Sequence, residues 1–218
     1  MNAKKGDFIE IEYTGIIKEN NIIFDTTDES TAKANNLYDK NVNYKPVVVC
    51  LGNKEVLPGL DEFLVGKEPG KEYDAEIKAI DAFGEKNPRL LQLINTNKFL
   101  KQNIKPIPGL QVNIDNAFGV VKTVSGGRTL VDFNHPLAGK DIIYKVKINK
   151  IIADLNEKIK AYLSKALGKN IDFRLEEKKL TICSDTKKEL QDMIASSIKE
   201  VMPEISNVEF EKQEKSPK

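Results

Sequence analysis

Hydrophobic and polar residues alternate along much of the chain. Residues 8–13 place isoleucine and tyrosine on one side and glutamate on the other, which is the period of two of a half-buried strand. The same period recurs at 73–79 and at 142–148, and 47–51 is a mostly β-branched run long enough for a central strand. One short helix is predicted at 60–65. A strand-rich shell around one short helix predicts an α+β half-barrel.

Between Pro88 and Val131 the strand pattern starts again. Strands and one short helix are predicted, in chain order, at 90–94, 95–102 (the helix), 110–114, 119–124 and 129–131. We expect these residues to form a small β-rich domain. With about 44 residues it is small for an independent core, since domains below roughly 60 residues are marginal. Part of its stability is therefore expected to come from its two connections to the half-barrel.

A third pattern follows Ile152. Apolar residues at helical spacing predict a helix that ends at Gly168, and Asp154 with Glu157 forms a capping-box-like start. The remaining elements are a strand at 171–175, a strand at 180–183, a helix opened by Thr186 and a strand at 208–210. The sequence thus predicts a C-terminal domain with the order α-β-β-α-β.

Composition and charge narrow the classes of function. Lys and Arg total 34 against 33 for Asp and Glu, and this balance gives no electrostatic footprint for nucleic acid, although a local basic patch would be compatible with it. The longest uncharged apolar stretch, 46–52, is far too short to span a bilayer, and no apolar signal region follows the N-terminus. We therefore predict a cytoplasmic protein that binds neither nucleic acid nor a membrane.

The cysteines and the single histidine do not suggest a metal site. Cys50 and Cys183 lie far apart in the chain and are predicted to be free, partly buried thiols in a reducing compartment. No cluster of cysteine and histidine has metal-ligand spacing. We expect the protein to use no metal and no cofactor.

Five strings of residues carry a resemblance to a known family. They are Tyr13-Thr14-Gly15, Phe24-Asp25, Val56-Leu57-Pro58-Gly59-Leu60-Asp61, Asp81-Ala82-Phe83-Gly84 and Val131-Asp132-Phe133-Asn134-His135-Pro136-Leu137-Ala138-Gly139. Together they resemble the FKBP-type peptidyl-prolyl isomerases, in the SlyD-like branch that carries an insert-in-flap domain. The last string is the most specific, because FKBP domains without the insert do not carry it.

The resemblance covers roughly residues 5–153 and implies a domain organisation. Residues 1–87 and 132–153 would form a discontinuous FKBP-like isomerase domain. Residues 88–131 would form the insert-in-flap domain, and 154–218 a separate C-terminal domain of the long archaeal type.

The resemblance implies an enzyme that rotates X–Pro bonds without a nucleophile or a metal. The amide barrier is about 18–20 kcal/mol, and a dry apolar cleft lowers it by binding the twisted amide better than the planar one. The positions that match the family's catalytic residues are Tyr13, Phe24, Asp25, Leu57, Phe83 and Tyr144. Those that match further substrate contacts are Val56, Leu60, Ala82, His135 and Leu137. Asp25 would be the carboxylate at the rim, and the Leu57 N–H would anchor a substrate carbonyl.

Each of these residues also has a simpler interpretation. The aromatic residues lie on inward strand faces and would otherwise be interpreted as core. Asp25 precedes two threonines and would pass for a turn or cap residue. For His135 the resemblance implies packing and hydrogen bonding beside the cleft, not catalysis. Two positions depart from the common pattern: Leu60 replaces the tryptophan of single-domain members, and Phe83 replaces a tyrosine whose hydroxyl would donate to the substrate.

The resemblance also implies that the insert binds unfolded chains. Its apolar residues exceed what so small a core can bury, and those assigned to client binding are Leu91, Leu93, Phe99, Leu110 and Phe118. An exposed remainder would bind extended segments by strand addition. The alternative is that all of these residues are core.

The predicted function is that of a peptidyl-prolyl isomerase and folding chaperone. Its predicted partners are proline-containing peptides and unfolded or partly folded proteins, and edge strands in the C-terminal domain suggest a homodimer through it. A holdase or assembly chaperone with a vestigial isomerase site is the alternative, against which the retained Tyr13, Phe24 and Asp25 favour the enzyme. Nucleic-acid binding by the C-terminal domain is disfavoured, since its first two strands carry no aromatic-basic motif.

Overall fold

The computed structural model of the protein describes residues 2–168 and 171–212. Its strands are β1 (Phe8–Ile17), β2 (Ile22–Thr26), β3 (Val47–Cys50), β4 (Glu72–Ile77), β5 (Leu91–Asn95), β6 (Gln111–Ile114), β7 (Ala117–Ser125), β8 (Arg128–Asp132), β9 (Ile142–Ile152), β10 (Phe173–Glu176), β11 (Lys179–Cys183) and β12 (Asn207–Glu211). Its α-helices are α1 (Glu29–Ala34), α2 (Pro58–Leu64), α3 (Thr96–Leu100), α4 (Leu155–Leu167) and α5 (Lys188–Val201). The α+β class predicted from the sequence is confirmed. No helix within the described ranges is long and apolar enough to cross a membrane.

The chain divides into two compact units. The first contains Met1–Ile16, Ile23–Ala75 and Tyr144–Lys218, and the second contains Ile17–Ile22 and Glu76–Ile143. The three domains expected from the sequence stay a prediction, because a compact unit is not by itself an independently folding domain.

A five-stranded sheet forms much of the first unit. Its order is β2-β1-β9-β4, and β3 pairs with the beginning of β1. The alternation seen in the sequence sets the core face, where Ile9, Ile11 and Ile148 are fully buried together with Leu60 of α2. The helix begins at Pro58, two residues earlier than predicted, because the fixed φ of proline suits the first helical position.

The inserted sheet belongs to the second unit. Its order is β5-β8-β7-β6, and all neighbours are antiparallel. The buried core of this sheet consists of Phe99, Val112, Val121 and Val131. Gly119 lies so close to the opposite side chains that an added Cβ would come within 2.7 Å of Val131 and 2.8 Å of Phe133. Only glycine therefore allows this packing.

Residues beyond 154 form α4, β10, β11, α5 and β12 in the predicted order. β11 pairs antiparallel with β10 and parallel with β12, and α5 supplies the crossover that a parallel pair requires. Asp154 caps α4 as predicted, since its carboxylate accepts the N–H of Glu157 at 2.8 Å. The predicted start of the second helix at Thr186 was wrong: α5 begins at Lys188 without a side-chain cap.

The apolar side of the C-terminal sheet shares a core with the five-stranded sheet. Phe8, Cys50 and Ile152 come from β1, β3 and β9, and they cluster with Ile159 and Leu163 of α4. The other buried members of this shared core are Ile171, Leu180, Ile182, Ile194, Ile198, Met202 and Ile205. The sequence did not predict this continuity, because pattern alone does not say which two apolar faces meet.

Candidate active site

Four of the predicted catalytic side chains lie together in the first unit. The Tyr13 hydroxyl on β1 donates a hydrogen bond to Asp25 Oδ2 on β2 at 3.0 Å. The Tyr144 ring on β9 meets the rings of Tyr13 and Phe24 edge-on, with centroids 5.4 and 5.9 Å apart. Asp25 is exposed, whereas Tyr144 is buried. The sheet thus assembles an aromatic cluster with one carboxylate at its solvent side.

The surroundings of both tyrosines in this cluster favour the protonated phenol. Burial raises the pKa of Tyr13, and the charge of Asp25 and the hydrogen bond to it raise that pKa further. The pKa of Tyr144 is raised by burial and then by Asp25 and Tyr13. Since both phenols are neutral at physiological pH, Tyr13 acts as a donor that orients the Asp25 carboxylate.

Two neighbouring positions, not predicted as site residues, hold the cluster in place. The Tyr13 N–H donates to Thr27 Oγ1 at 2.9 Å, and its C=O accepts the Thr27 N–H at 3.0 Å. Gly15 lies against the Phe24 ring, where an added Cβ would come within 2.6 Å of Cζ. The string Tyr13-Thr14-Gly15 marked this glycine in the sequence, but its close approach to the ring depends on the pairing of β1 with β2.

Val56, Leu57 and Leu60 come from the start of α2 and the loop before it. Leu57 is the N-cap, with a non-helical backbone at φ −56° and ψ 140° and no side-chain cap. The N–H groups at such a helix start have no acceptor within the helix. Val56 and Leu57 are half-buried, whereas Leu60 is fully buried. The first two therefore present surface, and Leu60 lies in the core behind them.

Phe83 and His135 form a second aromatic group, in the second unit. Their rings stack with centroids 4.7 Å and planes 5° apart. The Leu137 N–H donates to His135 Nδ1 at 3.2 Å. His135 is exposed, and Ala82, Phe83 and Leu137 are half-buried. The histidine thus packs and accepts a hydrogen bond.

Ile80 was not predicted from the sequence as a site residue. It lies in the short helical turn Ala79–Asp81 and is 70% exposed, which is unusual for isoleucine. The turn is fixed by a hydrogen bond from the Ala79 N–H to Asp141 Oδ1 at 3.0 Å. A single isoleucine in a mixed stretch carries no periodic signal, so only the structure reveals its exposure.

The residues assigned to client binding differ in their burial. Leu93 and Phe118 are 64% and 50% exposed, and Leu91 is 38% exposed. Leu110 is half-buried, whereas Phe99 lies in the core of the insert at 4% exposure. Phe99 was therefore wrongly placed on the surface, because its position on α3 turns its ring towards the sheet.

The site offers little for metal or covalent chemistry. In the part of the chain that the structure describes, no group of three or more histidine, cysteine, aspartate or glutamate side chains could hold a metal ion. Cys50 and Cys183 are free thiols. What the first unit presents is apolar aromatic surface, protonated phenols and one oriented carboxylate.

Known proteins resemble this chain in the same regions. A model of the FKBP-type peptidyl-prolyl cis-trans isomerases matches residues 1–105, and a model described as FKBP26, IF domain, matches residues 92–137. A probable FKBP-type 16 kDa peptidyl-prolyl cis-trans isomerase of Pseudomonas fluorescens is 34% identical over 115 residues, which are 50% of this chain and 75% of that protein. The chain belongs to the FKBP-type peptidyl-prolyl cis-trans isomerase family.

Two further relatives of this FKBP-type isomerase differ in how much of it they cover. A short-type peptidyl-prolyl cis-trans isomerase of Methanocaldococcus jannaschii is 29% identical over 148 residues, 68% of this chain and 93% of that protein. The isomerase SlyD of Treponema pallidum is 28% identical over 116 residues, 51% of this chain and 65% of that protein. The family models match up to residue 137, so the C-terminal segment has to be interpreted from its own structure.

Proposed function

We propose that this FKBP-type isomerase is also a folding chaperone, which binds unfolded chains on its insert and rotates their X–Pro bonds in an apolar cleft. The observation that carries the chaperone part is the exposed apolar face of the inserted sheet. The Tyr13–Asp25 pair with its aromatic neighbours supports the assignment of the cleft.

The aromatic cluster of the first unit suits X–Pro rotation. Rotation breaks an amide resonance that holds a barrier of about 18–20 kcal/mol. Surroundings poor in water disfavour the charge-separated planar amide relative to the twisted one. In this proposal Asp25 accepts a hydrogen bond from the substrate backbone while Tyr13 holds its orientation. The Leu57 N–H donates to a substrate carbonyl, and Val56, Phe24 and Tyr144 contact the prolyl ring.

Residues of the second unit are assigned to substrate contact as well. Ala82, Phe83, His135 and Leu137 match the family's positions, and each presents some surface. Ile80 of the same unit is added to this set because its side chain is 70% exposed. Leu60, being fully buried, acts by supporting the residues in front of it.

Strand register places the exposed insert residues on one face. Leu93 lies opposite Leu130 across β5 and β8, whereas the core residue Val131 lies opposite Gln92. Because side chains alternate along a strand, Leu93 and Leu130 point away from the core. On β7 the same parity separates Phe118 from the buried Gly119. We call this set the outer face of the insert, and its apolar members are Leu91, Leu93, Phe118, Val120 and Leu130.

The outer face suits segments of unfolded chains. An apolar patch with several strongly exposed residues is uncommon on a protein surface without a binding role. β5 is one of the two edge strands of the sheet, so an extended client segment can pair with its backbone while the apolar side chains of the client contact Leu91 and Leu93. A client with alternating apolar residues fits both features.

The double variant Leu93→Ser/Phe118→Ser tests the proposal. We expect it to lose suppression of aggregation and to catalyse a proline-limited refolding reaction at least about tenfold more slowly, since the client is no longer held at a high local concentration. Isomerisation of a tetrapeptide should stay at the parent value, because so short a substrate does not need the insert.

The matched control is Leu190→Ser/Met193→Ser on α5. Met193 is 67% exposed, so the control removes a similar exposed apolar surface from another part of the chain. It should leave both activities unchanged. The role of the outer face would be contradicted if both double variants lost chaperone activity equally, or if Leu93→Ser/Phe118→Ser lost none. A homodimer through the C-terminal segment, a cytoplasmic location and the absence of nucleic-acid binding stay predictions.

A further inference from the structure

Among the residues that the structure describes, strand β3 of the five-stranded sheet pairs with a strand on one edge only. Its partner strand is β1, in the register Phe8 to Cys50 and Glu10 to Val48. The backbone of Leu51, just after β3, bonds towards the β1 side: its N–H donates to the Asp7 C=O at 3.0 Å. Since this direction alternates along a strand, the N–H and C=O groups of Val48 and Cys50 point to the opposite edge.

Two side chains bind the backbone at that edge. Glu55 Oε2 accepts the Cys50 N–H at 3.2 Å, and Lys165 Nζ donates to the Val48 C=O at 2.7 Å. Lys165 also forms an ion pair with the same Glu55 carboxylate. Glu55 Oε1 accepts a third hydrogen bond, from Asn53 Nδ2 at 3.3 Å. Glu55 is therefore the point at which the edge strand, its following loop and α4 are joined.

Glu55 belongs to the loop that carries the proposed substrate anchor. Val56 and Leu57 follow it directly, and Leu57 is the N-cap of α2. The beginning of the loop is fixed separately, because both Asp61 carboxylate oxygens accept the Gly52 N–H, at 2.9 and 3.0 Å. Glu55 fixes the end of the loop through the hydrogen bonds and the ion pair of its carboxylate. The Glu55 side chain is only 14% exposed, so its carboxylate has few waters to replace a lost cation.

Lys165 reaches Glu55 from a helix that cannot move freely. Ile159 and Leu163 of α4 are buried in the core shared with Phe8, Cys50 and Ile152. The ammonium lies in the last turn of α4, where a cation is favoured by the helix dipole. The position of Lys165 relative to the loop is thus set by the packing of the C-terminal segment.

We propose that Lys165 is a positioning residue for peptidyl-prolyl isomerisation. It holds Glu55, and Glu55 fixes Val56 and Leu57 where they meet the substrate. The C-terminal segment would then tune the isomerase cleft of its own chain, a role distinct from client binding. This inference rests on the proposed use of the Leu57 N–H as substrate anchor.

The variants Lys165→Met and Lys165→Arg test this role in the full-length protein. Lys165→Met should lower kcat/KM for a tetrapeptide about three- to tenfold, through KM more than kcat, because a misplaced anchor weakens binding. Its Leu57 amide should shift in a ¹H–¹⁵N NMR spectrum of the peptide-free protein. Lys165→Arg keeps a cation at the site and should restore most of both properties. In a Glu55→Gln background, Lys165→Met should have no further effect.

The matched control is Lys160→Met, which removes an exposed cation from the same helix. It should leave kcat/KM and the Leu57 amide at the parent values. The inference is overturned if Lys165→Met behaves like this control, or if its loss of activity only follows the unfolded fraction measured by urea denaturation. If peptide titration leaves the Leu57 amide of the parent unshifted, the anchor itself is wrong, which distinguishes failure of the proposed function from failure of the lysine contact.

Discussion

The insert and the C-terminal segment each add a small sheet to the same isomerase, yet the two sheets differ in whether apolar side chains are exposed on their second face. The insert buries one face over the small core of Phe99, Val112, Val121 and Val131 and leaves apolar residues on the other. In the C-terminal sheet the second face is charged, with ion pairs between Arg174 and Glu211 at 2.6 Å and between Lys179 and Glu209 at 2.9 Å.

The difference extends to the buried faces. The apolar side of the C-terminal sheet packs in one core with Phe8, Cys50 and Ile152 of the five-stranded sheet. The insert, in contrast, has a core of its own residues. Apolar residues thus remain exposed on one face of the insert, whereas in the C-terminal sheet they give structural support. What distinguishes them is whether a second apolar face is available to cover the first.

Two deletions should show most clearly whether the insert and the C-terminal segment differ in their support of the five-stranded sheet. Replacing 88–130 by a short flexible loop should leave the five-stranded sheet folded, since changing loop length costs only about 0.6 kcal/mol per doubling. A fragment that ends at Asp154 should lose most of its stability, because each large side chain uncovered at Phe8 or Ile152 costs about 1.5–3 kcal/mol. Urea denaturation measures both effects.

Equal midpoints for the fragment and the parent would mean that the shared core does not support the isomerase sheet. Light scattering on the same proteins also tests the predicted dimer, which should be lost in the fragment and kept in the insert deletion.

Point substitutions in the two cores should sharpen the comparison. Leu163→Ala in the shared core should lower the free energy of unfolding by about 2–5 kcal/mol and shift the transition of the five-stranded sheet. Val131→Ala in the core of the insert should cost less and mainly increase local hydrogen exchange in β5–β8. Hydrogen exchange resolved by residue, together with urea denaturation, measures both. A global effect of Val131→Ala as large as that of Leu163→Ala would contradict the separation.

Catalysis on short peptides should not depend on the apolar surface of the insert or on that of the C-terminal segment. Asp25→Ala and Tyr13→Phe should each lower kcat/KM for a tetrapeptide by about three- to tenfold, the worth of one hydrogen bond of about 0.6–1.4 kcal/mol. The double variant should lose little more, because the two groups act as a unit. Asp28→Ala is a nearby control: Asp28 caps α1 by accepting the Thr31 N–H at 2.7 Å, so its loss should affect stability alone. Activity retained in Asp25→Ala would remove this carboxylate from the mechanism.

A pH dependence of stability is expected from Cys50 in the shared core. Burial, then the charges of Glu55 and Asp61, raise the pKa of Cys50 from 9.0 to about 11. The unfolded chain releases this proton near its ordinary pKa, while the folded protein keeps it until about pH 11. The contribution is therefore fully present below pH 9 and is lost between about pH 9 and pH 11. The difference in unfolding free energy between parent and Cys50→Ala should change by about 1–3 kcal/mol across that window. If the unfolding free energies of the parent and of Cys50→Ala differed by a constant amount across this pH range, the prediction would be contradicted.

Much of the first-unit site could be predicted because it follows strand alternation and local motifs. Tyr13 and Tyr144 lie on predicted strands, and the family strings marked Phe24, Asp25 and Leu57. Which residues lie on the surface of the insert was harder to predict. Phe99 and Phe118 are both aromatic residues of the insert, and only the register and the placement of α3 decide that one is buried and the other exposed.

The sequence by itself determined the class of fold, the order of the elements and the family, because periodicity and short motifs are local properties of the chain. Only the tertiary structure decided that Phe8, Cys50 and Ile152 meet α4 in one core, and that Lys165 reaches Glu55 across 110 residues of sequence. Such contacts depend on which apolar faces pair and at what register. Many pairings of amphipathic elements satisfy the same pattern, and the packing of the whole chain selects one of them.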